Sequence, residues 1–244
     1  SKIMALPKLN QAPVYNTKIP STGQSIQYRP FLVKEQKILL MALETNDEKQ
    51  VLTSIYELLK NCIISDCNID NLALFDIEYI FLQLRGKAVG ENSDIKLKCT
   101  KCESENDVRI ALGDLYPDIK EVNTKIKIGE EYILNLQYPK FGNVIEANKE
   151  ESEIFTEDAP KISTIYELSL QCLESLDTDD EKILFKDESA TDKEEFMGSL
   201  TSGQFEDIIT FVQAIPKLEY DVAFECTGCK HKNEYHLEGM QDFF

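Results

Sequence analysis

The sequence predicts an α+β protein with three parts: an extended N-terminal arm, a helical subdomain, and a zinc-ribbon-like antiparallel sheet assembled from two distant CxxC knuckles. Three observations carry this. Cys99-Thr-Lys-Cys102-Glu-Ser-Glu-Asn106-Asp and Cys226-Thr-Gly-Cys229-Lys-His-Lys-Asn233-Glu share the pattern C-T-x-C-x-x-x-N-acid. Each copy sits between short segments that alternate apolar and polar, the period of a strand. Between residues 31 and 90 the period instead becomes that of amphipathic helices.

Residues 1–30 hold Pro7, Pro13, Pro20 and Pro30 and no helical period. Proline removes amide donors and blocks the helix, so the stretch reads as an extended arm with a small hairpin turning at Gly23. Its anchors Pro7, Pro13, Ile19, Pro20 and Tyr28 are candidate partner-binding residues, the arm lying along another protein.

Three helices are expected over 31–90. The first, Phe31 to Leu43, is apolar all round from Ile38, so its second half should be buried. Thr45-Asn-Asp-Glu48 reads as a capping box for the second, which places Val51, Ile55, Leu58, Leu59 and Cys62 on a core face. Asp70 or Asn71 should cap the third, with Leu74, Ile77, Phe81, Leu84 and Ala88 inward and Gly90 at its end.

The first knuckle and a hairpin turning near Gly129 occupy 91–140, and their strands are expected to share a sheet. An acidic helical insertion follows over 141–215, its acidic runs read as solvated surface with long loops. Within it Thr164-Ile-Tyr-Glu167 reads as a capping box for a helix bearing Ile165, Leu168, Cys172 and Leu176. A last helix runs from Phe205 to Ile215 and stops at Pro216. Residues 216–244 hold the second knuckle and a tail whose Phe243 and Phe244 are further candidate docking residues.

The chemistry centres on Cys99, Cys102, Cys226 and Cys229. A CxxC turn supplies two thiolates from one bend, so two knuckles close a tetrahedral shell around zinc with no open position, which argues for a structural ion. A relic site that packs without metal is the alternative. Neither knuckle has glycine after its second cysteine, as many zinc ribbons do. Lys98, Lys101, Lys230 and Lys232 would offset the thiolate charge, and His231 or His236 could replace one cysteine.

Twenty-six basic against forty-four acidic side chains leave a net charge of −18. That charge repels phosphate backbones and anionic lipid, so neither nucleic acid nor membrane is expected as a partner. Seven cysteines, no secretory-type apolar run and no span of eighteen apolar residues fit a soluble chain made in a reducing cytoplasm. There is no phosphate-cradling G-x-x-x-x-G-K motif and no H-E-x-x-H, and no small-molecule substrate or enzyme activity is expected.

Ala5-Leu-Pro-Lys, Ile19-Pro-Ser-Thr-Gly23 and Tyr28-Arg-Pro-Phe-Leu-Val-Lys-Glu-Gln-Lys-Ile-Leu-Leu-Met-Ala42 resemble the opening of the baseplate hub protein family of T4-like contractile-tailed bacteriophages. That family also resembles this chain in its helical middle and its widely separated CxxC pairs. The resemblance implies a non-enzymatic protein that helps build the baseplate hub, in the virion or in the host cytoplasm during assembly. Its partners would be other hub proteins, and no catalytic residues are carried over. Two readings from other classes are a tail-associated cell-wall hydrolase and a zinc-ribbon regulator of host transcription.

Overall fold

The computed structural model describes residues 12–45, 47–149 and 162–239; Pro7, Phe243 and Phe244 lie outside them. The chain opens with a hairpin, β1 (Tyr15–Lys18) and β2 (Ser25–Tyr28), paired antiparallel with Tyr15 opposite Tyr28. Its turn closes through the Gly23 amide, which donates to the Ile19 carbonyl at 2.7 Å, with Gly23 at φ 71°. The hairpin is part of the main core. Ile19, Pro20, Ile26 and Tyr28 are buried, and the loop is tied down by Asp76, a fully buried carboxylate. Asp76 accepts from the Ser21 amide at 2.8 Å, the Ser21 hydroxyl at 2.6 Å and the Ala73 amide at 3.0 Å. Ile19, Pro20 and Tyr28 therefore face this chain's own interior, where the sequence suggested a partner, and only Pro13 of the described arm candidates is exposed. Proline spacing shows that a segment is extended, and cannot show that it packs against its own chain.

Helix α1 (Val33–Glu44) follows. Glu35, buried in its first turn, accepts the Leu32 amide at 2.7 Å and pairs with Arg29 at 2.8 Å. The expectation that the second half of α1 is buried fails. Leu39 and Ala42 are buried, but Ile38, Leu40 and Met41 face solvent, because α1 packs through one side only. Helix α2 (Glu48–Cys62) starts at Asp47, whose side chain accepts from the Lys49 amide; Thr45 instead closes the end of α1, donating to the Ala42 carbonyl at 2.6 Å. Ile55, Leu58, Leu59 and Cys62 are buried as expected, and burial pushes the Cys62 thiol up to about 11. The chain leaving α2 runs beside the hairpin, the Arg29 amide donating to the Cys62 carbonyl at 2.9 Å.

Helix α3 (Leu74–Ala88) buries Ile77, Phe81 and Leu84. Its start is capped by Asp76, while Asn68 caps a short 3-10 turn over Ile69–Asn71, so neither Asp70 nor Asn71 is the cap. Strands β3 (Asn92–Lys98) and β4 (Glu105–Ala111) form one two-stranded ribbon around the first knuckle.

Strands β5 (Lys125–Ile128) and β6 (Tyr132–Leu136) turn at Gly129, φ 68°, as predicted, but they do not join that ribbon. After helices α4 (Phe141–Lys149) and α5 (Ile162–Gln171), strands β7 (Leu173–Asp177) and β8 (Lys182–Leu184) complete a four-stranded antiparallel sheet ordered β5-β6-β7-β8. Helices α6 (Ala190–Gly198) and α7 (Ser202–Gln213) accompany it. The acidic stretch after residue 173 is thus regular structure, with Leu173 and Ser175 inward and Glu174 outward. Thr164 lies inside α5, past its first residue Ile162, and Leu176 belongs to β7. Strands β9 (Glu219–Glu225) and β10 (Lys232–Glu238) make the second ribbon.

Among the described residues two hydrophobic cores result. One joins the hairpin, α1 to α4 and both ribbons; the other joins the four-stranded sheet to α5, α6 and α7 around Leu134, Cys172, Ile208 and Phe211. Tyr138, packed against the second core, joins it to α3, edge-on to Phe75 at 5.1 Å and stacked on Phe211 at 5.5 Å. The segments read as 91–140 and 141–215 are therefore divided differently in space. β5 and β6 leave the knuckle and join the later strands.

Candidate metal centre

Each knuckle is a tight turn at the end of a ribbon, and the two are built alike. The Cys99 amide donates to the Ser104 carbonyl at 2.9 Å and the Cys226 amide to the His231 carbonyl at 2.9 Å. Each turn is closed again by Glu103 N–H to the Cys99 carbonyl at 2.9 Å and Lys230 N–H to the Cys226 carbonyl at 3.0 Å. Glu103 and Lys230 sit at φ 58° and 61°, the left-handed region. Many zinc ribbons use glycine at this position, and this chain places ordinary residues in that conformation, at a cost of about 1–2 kcal/mol each.

The knuckles meet reciprocally. Cys99 Sγ lies 3.6 Å from Cys229 Sγ, and Cys102 Sγ lies 3.7 Å from Cys226 Sγ, so the first cysteine of each turn faces the second of the other. All four sulfurs lie within 4.8 Å of one another. Metal–sulfur bonds of about 2.3 Å in a tetrahedron require sulfur–sulfur edges of about 3.8 Å. The cluster fits that shell, and the four sequence-predicted ligands are brought together across more than a hundred residues.

Two asparagines lock the halves to each other. Asn233, next to the second knuckle, accepts from the Thr100 amide and hydroxyl of the first, both at 2.9 Å, and donates to the His231 carbonyl at 3.0 Å and to Cys99 Sγ at 3.6 Å. Asn106 returns the arrangement: it accepts from the Thr227 amide at 2.9 Å and hydroxyl at 3.1 Å, and donates to the Ser104 carbonyl at 2.9 Å and to Cys226 Sγ at 3.7 Å. Both are buried. Sequence reasoning singled out the cysteines and passed over these residues. The signal was present in the pattern itself, since Thr and Asn recur at the same offsets in both copies.

Hydrogen-bond donors set the charge of the cluster. The amide of Cys229 leads in lowering Cys226 to about 5, followed by the Ser104 hydroxyl at 3.2 Å, against the effect of burial. Burial raises Cys99, but the amides of Cys102 and Lys101 and the Asn233 side chain outweigh it and leave the thiol lowered. The His231 amide works to lower Cys229, yet burial and the neighbouring Cys102, Cys99 and Cys226 push it up to about 11. Four thiols this close cannot all ionise without a cation among them. Lys98, Lys101, Lys230 and Lys232 are exposed, and Lys230 is near Glu225 at 3.9 Å. His231 contributes its backbone, and His236 lies along the ribbon against Asp221 at 2.7 Å, so neither imidazole replaces a cysteine. The remaining core thiol, Cys172, is pushed up to about 12 by burial.

Both knuckles, the hairpin and the helices fall inside one comparison. The family described as T4 bacteriophage base plate protein matches residues 12–244. The chain belongs to the T4 base plate protein family. Membership makes it a structural protein of the phage baseplate and implies contact with other phage tail proteins at a location in the virion tail. Neither the curated proteins nor the solved structures provide a match. No described helix of this base plate protein is long and apolar enough to cross a membrane.

Proposed function

We propose that this base plate protein is a non-enzymatic subunit or assembly factor of the baseplate hub, and that its four cysteines hold a structural zinc ion. The observation that carries the reading is the closed four-thiol cluster within a base plate family chain. Four soft ligands at tetrahedral spacing suit zinc and leave no coordination position for a substrate. Zinc would supply a redox-inert positive centre for the thiolates. The protein's own residues do the rest: Asn106 and Asn233 orient the turns, and the amides of the knuckles share the thiolate charge.

Such a clamp ties residue 99 to residue 229. Cross-linking a loop of about 100 residues contributes about 4–5 kcal/mol in the chain-entropy picture. The gain suits a part whose task is to hold surfaces in register, since pre-ordered surfaces lose less entropy on docking. Exposed Pro13 and the tail residues Phe243 and Phe244, with Pro7, remain the proposed partner contacts, to hub proteins.

Quantifying the chain by mass spectrometry in finished particles and in baseplate intermediates tests the reading. Fixed stoichiometry in both supports a hub subunit; presence only in intermediates supports an assembly factor. Absence from both overturns the hub assignment. Elemental analysis of the purified chain should find one zinc per chain, and none in a Cys99→Ser/Cys226→Ser variant.

A further inference from the structure

Helix α1 presents a stripe of apolar side chains that no described residue covers. Val33 is 78% exposed, Ile38 58%, Leu40 51% and Met41 58%. Single exposed apolar residues are ordinary, but Val33, Leu40 and Met41 share one side of this helix, with Ile38 on its flank, and together they form a patch of the kind that marks an interaction site. Val33, Lys37, Leu40, Met41 and Glu44 fall at i, i+4, i+7, i+8 and i+11, which places them along one face.

The charges within the stripe indicate what covers it. Lys37 and Glu44 are exposed and two turns apart, about 10 Å along the axis, too far to pair with each other. They lie symmetrically about the point between Leu40 and Met41. A stripe with an apolar centre and opposite charges at equal distances on either side is complementary to itself when reversed.

We propose that α1 docks antiparallel on α1 of a second copy of this chain, about a two-fold axis between Leu40 and Met41. Leu40 then packs on Met41 of the partner subunit, and Lys37 lies opposite Glu44 of the partner subunit, each contact occurring twice. The pairing covers Leu40 and Met41 while the chain is free, with Val33 beyond the paired span. One short helix per copy puts the contact at the small end of specific interfaces, the class of weak and transient contacts. The net charge of −18 on each copy opposes it, but at physiological salt this repulsion is screened beyond about 8 Å.

Sedimentation equilibrium of the full chain over roughly 1 to 200 µM tests the proposal, a range set by the expected interface size. The expected result is a concentration-dependent dimer that Leu40→Asp weakens by about a hundredfold or more, because two buried leucines are replaced by charge. Lys37→Glu and Glu44→Lys should each weaken it about tenfold, and the double swap should restore it. Circular dichroism melts confirm that each variant is folded, and Met41→Lys serves as a second disruption of the same face. A wild-type monomer throughout, or a dimer insensitive to both Leu40→Asp and Met41→Lys, overturns the proposal, as does a monomer whose α1 is protected only by another tail protein. A double swap no better than the single ones overturns the antiparallel pairing.

Discussion

Replacing Asn233 by alanine should cost this protein about 3 kcal/mol. The side chain is 2% exposed and makes three hydrogen bonds of 2.9 to 3.0 Å, two from Thr100 and one to the His231 carbonyl, besides the longer contact to Cys99 Sγ. A net contribution of about 1 kcal/mol per bond gives the sum. For a chain of this size that shifts the melting temperature of the affected unit by about 6–12 °C. Asn106→Ala should cost the same, because its bonds to Thr227 and Ser104 are the counterparts in the other knuckle and have nearly the same lengths. Asn233→Asp is the sharper variant. It keeps the acceptor for Thr100, loses the donor to His231 and to the sulfur, and sets a carboxylate beside a cluster that already carries thiolate charge. Thermal melts of the metal-loaded chain, with metal retention measured against a competing chelator, read all three. Wild-type melting and retention in Asn233→Ala would refute the view that the asparagines lock the knuckles. A loss in one asparagine variant without a comparable loss in the other would refute their equivalence.

Three further outcomes follow from other parts of the fold. Asp76→Ala leaves the Ser21 amide and hydroxyl and the Ala73 amide without their buried acceptor; it should cost about 3 kcal/mol and open the β1–β2 hairpin to protease, seen as cleavage near Ser21. Burial raises the Glu35 carboxyl, but the Arg29 hydrogen bond, the Leu32 amide and Lys34 outweigh it and hold the group below its usual value. Its stabilisation is thus complete above about pH 4.3 and is lost as pH falls through the lower folded value. Glu35→Gln should lower stability near pH 7 by about 2 kcal/mol and flatten that acid limb in urea titrations. Removing the proposed zinc with a chelator should strip amide-exchange protection from β3, β4, β9 and β10 while β5 to β7 and α7 keep theirs, because the second core contains no residue of the knuckles.

Much of the local structure was legible. The alternation around each CxxC pair gave both ribbons, and the helical period placed Ile55, Leu59, Ile77 and Phe81 inside. Caps were less legible. Asp76 and Asp47 work where a Thr or a neighbouring acid looked equally suitable, because a cap is chosen by which side chain reaches an amide once the chain has turned. The acidic run after residue 173 concealed two strands. Glu174 occupies an outward position, while Ser175 is buried opposite Asn135, whose side-chain amide donates to it at 3.1 Å. A strand whose inward residue is a serine satisfied by its neighbour does not show as an apolar alternation.

The sequence by itself determined the four metal-ligand candidates and their equivalence, since a repeated C-T-x-C-x-x-x-N pattern is local chemistry that needs no knowledge of the remainder of the chain. The tertiary structure decided which surfaces were left over. It drew Ile19, Pro20 and Tyr28 into the core, sent β5 and β6 to a separate sheet, and left Val33, Leu40 and Met41 of α1 facing solvent. The physical reason is that burial depends on which faces find a partner, and hydrophobicity along the chain records only the demand for one.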